Sequence, residues 1–498
     1  MEKLKNWLQW LDTNILKVGL IIFIFGIPLY PKIPLITMDY TYISVRFDDF
    51  YVGLLFLIYI AQLIRKKVSL DREFLPLFVL FWVAVGLSFL SGIFLTHTLP
   101  YHQVAFLNAM RRPQYMVVFF IALSSIQSKK DFLTYLRYIM IAMILVVLYG
   151  LGQKFFDFPA IQTMNPEFAL GRVLHITAEA RISSTFAGHY DLAAYLVFLL
   201  PLMLGMYLWK KKTMYLLLFG LALFALSLTA SRSSTVAFLF SVIPFLILVR
   251  KWKLLIAVVI LTGVLSYFSS NLITRFMKTF QVKQIYVNSQ TGKVVVPEKI
   301  SSKELPAGSF YVALKNQEGA PTASTTALLN ARILHDVRDE AKKRGQVLTA
   351  SQEANMVATA QAGLKPVNTV VSDISLATRL QVEWPRAINA LKQNPLLGTG
   401  AGSITESTDN DYLRWLGEFG LLGTGLFLFI FYRLARKIYE AVPRVSPSEK
   451  TLYIAFLFGW LGLMINASYI DVFEASKVAY QFWLMVGFFI GSVNKRVL

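Results

Sequence analysis

The chain has 498 residues, of which 56% are hydrophobic and 16% charged, with a formal net charge of +20 and no cysteine. Repeated apolar runs of bilayer-spanning length, roughly 17–25 residues, define a polytopic membrane protein and exclude a soluble fold. The positive charge sits in short clusters beside the spans, as in cytoplasmic loops facing anionic lipid rather than in a nucleic-acid-binding surface. The missing thiols exclude disulfides and thiolate sites.

In chain order, the first apolar run is Leu16–Tyr30, with Lys3, Lys5 and Lys17 on its amino-terminal side. No small-residue cleavage site follows, so an uncleaved span is expected. About twelve spans are expected, near 16–30, 47–64, 74–95, 114–127, 132–152, 191–209, 213–230, 232–250, 253–270, 411–432, 452–470 and 478–493. Basic clusters follow every second one: Arg65 to Lys67, Lys129-Lys130, Lys210 to Lys212, Arg250-Lys251, Arg433 to Lys437 and Lys495-Arg496. The positive-inside bias then places both termini in the cytoplasm and the intervening loops outside.

The expected organisation is an all-α membrane domain of about nine spans over residues 1–270, an extracytoplasmic loop over 271–410, and about three further spans over 411–498. Inside the loop, Gln284–Val296 favours β structure, with Gln-Thr-Gly at a hairpin turn, and Ala327–Arg344 reads as an amphipathic helix. A small mixed subdomain is therefore expected there. Thr378–Lys392 is helix-like with a break at Pro385, and NPLLGTGAGS is too rich in glycine and proline for a regular element.

Chemistry is expected where charge stands on the outer side. Arg232, flanked by Ser231, Ser233 and Ser234, opens span eight, where a guanidinium fork and free helix N–H groups suit a phosphate or diphosphate. The plain alternative is a snorkelling or ion-paired arginine. Arg181, Arg379 and Arg111-Arg112 also lie outside, which favours an anion site. Asp409-Asn410-Asp411 opens span ten, and Asp411, Arg414 and Glu418 recur at helical spacing. Asp409 is either a helix cap or a general base for an acceptor hydroxyl, and the D-x-D pattern also admits a metal. His189-Tyr190-Asp191 opens span six, where substrate contact and capping are equally open. Asp48-Asp49 reads as a cap, and Asp471, Glu474 and Lys477 as a solvated, internally paired face.

These segments resemble the O-antigen ligase and O-antigen polymerase superfamily. Arg181 with Ser184-Thr185-Phe186 is similar to its R-x-x-G-T-F segment, and Thr229 with Ser231-Arg232-Ser233 to its T-x-S-R turn. Asn394-Pro395-Leu396-Leu397-Gly398-Thr399-Gly400 resembles its N-P-L-x-G-x-G loop. Asp409 to Leu413, with Glu418 and Gly420 to Gly423, resembles its H-N-x-Y-L…E-x-G-x-x-G block, with aspartate in place of the usual ligase histidine.

The resemblance implies a multi-pass glycosyltransferase of a bacterial cytoplasmic membrane, with a polyprenyl-diphosphate-linked glycan as donor, a glycan or lipid acceptor, and no cofactor or metal. It implies Asp409 and Arg232 as catalytic residues and Arg181, Arg232 and Arg379 on the diphosphate. Arg112, His189, Asn410, Asp411, Tyr412 and Glu418 would support them or touch substrate. Asp409 favours a polymerase over a ligase. A lipid-linked-sugar transporter or flippase would share the layout but should carry mid-membrane breaks in two repeated halves.

Overall fold

A computed structural model describes the chain except residues 1, 38–43, 164–170, 178–179, 270–279, 289–293, 296–311, 314–329, 332, 340, 342–347, 363, 373–375, 377, 405–406 and 495–498. The chain divides into two compact units, Met1–Ile273 with Arg386–Leu498, and Thr274–Pro385.

The first unit is helical. Its helices are α1 (Glu2–Leu29), α2 (Phe47–Ile64), α3 (Leu75–Phe94), α4 (His102–Ser125), α5 (Lys129–Phe155), α6 (His189–Lys210), α7 (Met214–Leu228), α8 (Arg232–Leu248) and α9 (Trp252–Phe268). After the second unit come α12 (Asp411–Ala441), α13 (Pro447–Ala467) and α14 (Ser476–Asn494); α10 (Ala350–Ala362) and α11 (Trp384–Gln393) lie between. Among the described residues, seven helices are long and apolar enough to cross a membrane: α1, α2, α3, α5, α6, α12 and α13. Helices α7, α8 and α9 are apolar but shorter.

Polar residues at the helix ends fix where several helices start. Ser128 accepts the Asp131 N–H ahead of α5, Ser231 accepts the Ser234 N–H ahead of α8, and Asn410 accepts the Leu413 N–H ahead of α12. Each satisfies an amide that the first turn leaves without an intrahelical partner. Helix α6 is apolar on every side and is buried along nearly its whole length, which makes it the centre of the bundle. Glycine allows its neighbour α13 to approach, because a Cβ on Gly459 would stand 2.3 Å from the Phe198 carbonyl oxygen of α6. Gly487 of α14 plays the same part against α4, 2.5 Å from the Phe119 carbonyl oxygen. Such contacts hold helices together where lipid removes the hydrophobic driving force between them. Aromatic rings fill the rest of this core, with Trp483 lying 5.5 Å from Phe78 and 5.7 Å from Phe431.

The two ends of the bundle differ in chemistry. At one end the basic clusters are tied to acids of neighbouring segments: Arg65 and Lys67 to Asp12, Lys437 to Glu73 at 2.7 Å, and Lys129 to Glu449 at 2.6 Å. At the other end are the described residues of the loops after α1, α3 and α5 and of segments 402–410 and 468–475.

The first unit has two short strand pairs, β1 (Pro34–Ile36) with β2 (Val45–Arg46) and β3 (Ala160–Ile161) with β4 (Val173–Leu174), and the second unit carries a four-stranded antiparallel sheet in the order β6, β5, β8, β7, formed by β5 (Phe280–Asn288), β6 (Val294–Val295), β7 (Val312–Ala313) and β8 (Leu364–Ser372). The expected hairpin pairs Tyr286 with Val295 and Val287 with Val294; its turn, Gln290 to Gly292, lies outside the described residues. The longest pairing is between β5 and β8, from Phe280 with Ser372 to Asn288 with Leu364. Within the expected helix Ala327–Arg344, residues 330–331, 333–339 and 341 are helical. Their apolar side, Ile333 and Val337, packs on Leu348, Val357 and Leu364. Pro385 does not end the helical run: the π-helical turn Arg379–Glu383 leads directly into α11, whose second residue is Pro385.

Candidate functional site

The glycine-rich loop is built against a break in a helix. At Gly420 the φ of +62° interrupts α12 and frees its backbone groups. Segment 395–400 takes them up: Thr399 N–H donates to the Gly417 carbonyl at 3.0 Å and Gly400 N–H to Glu418 at 2.9 Å. In return, Leu421 N–H donates to Pro395 at 2.8 Å and Leu422 N–H to Leu396 at 3.1 Å. Non-helical backbone at membrane depth is stable only when its polar groups are satisfied in this way. Both backbones must come very close, and the glycines permit it. A Cβ on Gly398, itself at φ +73°, would lie 2.3 Å from the Glu418 oxygen, and one on Gly420 would lie 2.4 Å from the Leu396 oxygen.

The break ends the helical run that carries Arg414 and Glu418 into a polar cavity of about 420 Å³ at the end of the bundle away from the basic clusters. Glu418 accepts the Gly402 N–H at 3.0 Å and faces Arg112 at 3.4 Å and Arg414 at 3.6 Å. Arg112 also pairs with Glu474, and Arg414 reaches Asp471 at 3.5 Å and Glu474 at 3.9 Å. Burial alone would raise the Glu474 carboxyl, but Arg112 and Arg414 outweigh it and hold the group below its ordinary value. The two arginines and three carboxylates form one network, so no buried charge in it lacks a counter-ion.

Asp409 is placed by a second network. Asp471 accepts the N–H groups of Thr408 at 2.7 Å and of Asp409 and Asn410 at 3.0 Å each, while Asp411 accepts those of Val472 at 2.8 Å and Phe473 at 3.1 Å. The two loops at the ends of α12 and α13 thus clasp each other. Asp409 adopts a left-handed backbone (φ +51°) and faces the cavity.

Further lining comes from Lys32, Arg46, Asp48, Asp49, Arg111 and Asp191. Lys32 lies 3.5 Å from Asp48, and both contact Ser476; burial pushes the Lys32 ammonium below the ordinary lysine value. Lys477, behind this wall, is almost wholly buried and donates to the carbonyls of Pro28, Tyr30 and Thr185 at 3.0, 2.7 and 2.7 Å.

Of the residues singled out in the sequence, Asp409, Arg112 and Glu418 meet in the cavity, with Asp191 beside them. Asn410 is instead the cap of α12 and bonds the Ser468 carbonyl at 2.9 Å, Asp411 is turned to the 472–473 backbone, and the Tyr412 hydroxyl donates to Met464. The Asp409 and Asp411 carboxylates of the D-x-D pattern therefore serve different surroundings. Arg181 pairs with His189 at 2.6 Å and stacks on Tyr190, and neither Arg181 nor His189 lines the cavity. Arg232 opens α8 and does not line it either. Arg379 is buried in the second unit, in the π-helical turn Arg379–Glu383.

Two readings from sequence are corrected. Asp471, Glu474 and Lys477 are not a solvated face: the two acids line the cavity and the lysine is buried, because these residues lie in a loop and the start of a helix enclosed by neighbouring loops. In the Asp48-Asp49 pair only Asp49 caps α2, through the Arg46 N–H at 2.8 Å, and Asp48 faces Lys32. Lys32 and Arg46 were missed, although both stand on the arginine-poor side of the spans, the signal that identified Arg181.

Residues 217–428 match the family model described as O-antigen ligase. The match supports a relation of this part of the chain to the O-antigen ligase superfamily. The match covers less than half of the chain but contains the Gly398–Gly420 contact, Asp409, Arg414 and Glu418. It is a family of membrane glycan transferases of the ligase and polymerase type. No curated protein matches the chain.

Proposed function

We propose that the protein polymerises glycan units at the outer face of the cytoplasmic membrane, using a polyprenyl-diphosphate-linked oligosaccharide as donor. The observation that carries this reading is the cavity itself: the matched family segment contributes Asp409, Arg414 and Glu418 to a polar chamber within the size range of small-ligand sites. Asp409 takes the proton of the acceptor hydroxyl, whose oxygen attacks the donor's anomeric carbon. The bond from that carbon to the diphosphate oxygen breaks, and the lipid diphosphate leaves. The step needs the carboxylate in its ionised, proton-accepting form. Arg181 and Arg232, which belong to the same unit as Asp409, are assigned to the leaving diphosphate, where fixed guanidinium groups stabilise developing charge. Both termini face the cytoplasm, in keeping with the basic clusters.

The test is product length. Purified enzyme given only lipid-linked repeat units should make a ladder of longer lipid-linked glycans without nucleotide and in the presence of chelator. Asp409→Asn should lower the rate by about 10²–10⁴, the usual worth of a general base. A single addition that requires a separate acceptor would make the protein a ligase. No new covalent product would make it a transporter, and loss of the ladder on chelation would assign Asp409 to a metal.

A further inference from the structure

The cavity treats its cations unequally. Arg112 is ion-paired with two carboxylates and Arg414 with three, as described above. Arg46 and Arg111 are not so paired. The Arg46 guanidinium donates to Thr163 Oγ1 at 3.3 Å and its Nε is buried without a hydrogen-bond partner; Arg111 makes one long contact, 3.4 Å to the Ser44 carbonyl. Among the described residues neither has an ion pair within 4.0 Å. Each guanidinium carries five N–H donors, so most of this planar donor capacity is unused at the cavity wall.

We infer that Arg46 and Arg111 form a subsite for a singly charged carboxylate on the substrate glycan, so that the chain acts on a sugar bearing an acidic group such as a hexuronic acid. This rests on the glycan-transfer reading above and names its substrate class. The overall charge of the wall argues against a multiply charged anion. Described lining residues supply seven carboxylates against five basic side chains, a setting that opposes a diphosphate with two or more charges. One carboxylate can take a bidentate fork from either arginine, while Asn108 and Tyr115 face the same cavity and can meet sugar hydroxyls. The chamber of about 420 Å³ suits one or two sugar rings, not a polyprenyl chain.

The experiment is saturation-transfer NMR on the purified full chain in detergent, with a digalacturonic acid, its neutral digalactose counterpart and inorganic diphosphate as probes. The acidic disaccharide is expected to bind about tenfold more tightly than the neutral one, the worth of one charge-assisted contact. Arg46→Gln and Arg111→Gln should each remove most of that preference, and Arg46→Lys should keep part of it. The comparison between acidic and neutral sugars in the unmodified protein stands even if a variant does not fold. Equal binding of the two sugars, or a preference that survives in Arg46→Gln/Arg111→Gln, would overturn the inference. So would tighter binding of inorganic diphosphate with displacement of the hexuronate, which would give the wall to the donor's diphosphate. Because binding is read without turnover, a hexuronate preference in a protein that makes no ladder would sink the polymerase reading alone.

Discussion

Asp411 and Asp471 hold each other's chain: the Asp411 carboxylate accepts the N–H groups of Val472 and Phe473, and the Asp471 carboxylate accepts those of Thr408, Asp409 and Asn410. Two loops 60 residues apart in sequence are thereby fixed as one body around Asp409. Asp411→Ala leaves two buried amides without acceptors, at roughly 1–3 kcal/mol each, so a loss of about 2–6 kcal/mol is expected in chemical denaturation of the detergent-solubilised protein. A variant as stable as the parent would mean that the clasp contributes nothing to the fold.

The contact between Gly398 and Gly420 predicts a sharp difference among glycines. Gly398→Ala and Gly420→Ala put a methyl group 2.3–2.4 Å from a backbone oxygen at a left-handed position, where strain alone costs about 1–3 kcal/mol. Gly425, seven residues after Glu418 on the exposed side of α12, has open space around it; Gly425→Ala should be neutral or stabilising by up to about 1 kcal/mol. Thermal unfolding of the three variants decides this, and similar melting temperatures for all three would refute the packed break.

Acid should act on the site through Glu474. Its pKa is held below the ordinary 4.5 by Arg112 and Arg414, so the unfolded chain binds the proton more readily than the folded one. Its contribution to stability is therefore complete above about pH 4.5 and is lost as the pH falls through the lower folded value. Glu474→Gln should flatten the fall in stability over that acid range. An unchanged slope in denaturation curves from pH 6 to 3 would show that the arginines do not stabilise this carboxylate.

Orientation is open to chemical labelling, since the chain contains no cysteine. Tyr101 beside the cavity and Ser128 among the basic clusters are both exposed, whereas Ser231 and Thr408 are buried and make poor reporters. Tyr101→Cys should react with an impermeant thiol reagent applied to intact cells and Ser128→Cys should not. The reverse pattern would place the cavity in the cytoplasm.

Apolar run length, glycine and proline placement, and the spacing of basic clusters were enough for the sequence to locate the helices, the loop with strand character and the family motifs, because these are local properties of the chain. Arg112 and Glu418 drew notice as charges among apolar spans, where charge is costly, and Asp409 through its place at the start of span ten and the motif it opens. What local pattern does not contain is pairing across distance. Nothing near Asp471 or Glu474 in the sequence tells that they will meet Arg414 and Arg112, and on local spacing they read as a solvated face. The β5–β8 pairing and the seating of segment 395–400 on the broken turn of α12 are of this kind as well. Only the tertiary structure decided them, since a buried carboxylate or a freed backbone amide must find its partner wherever the fold brings one within reach.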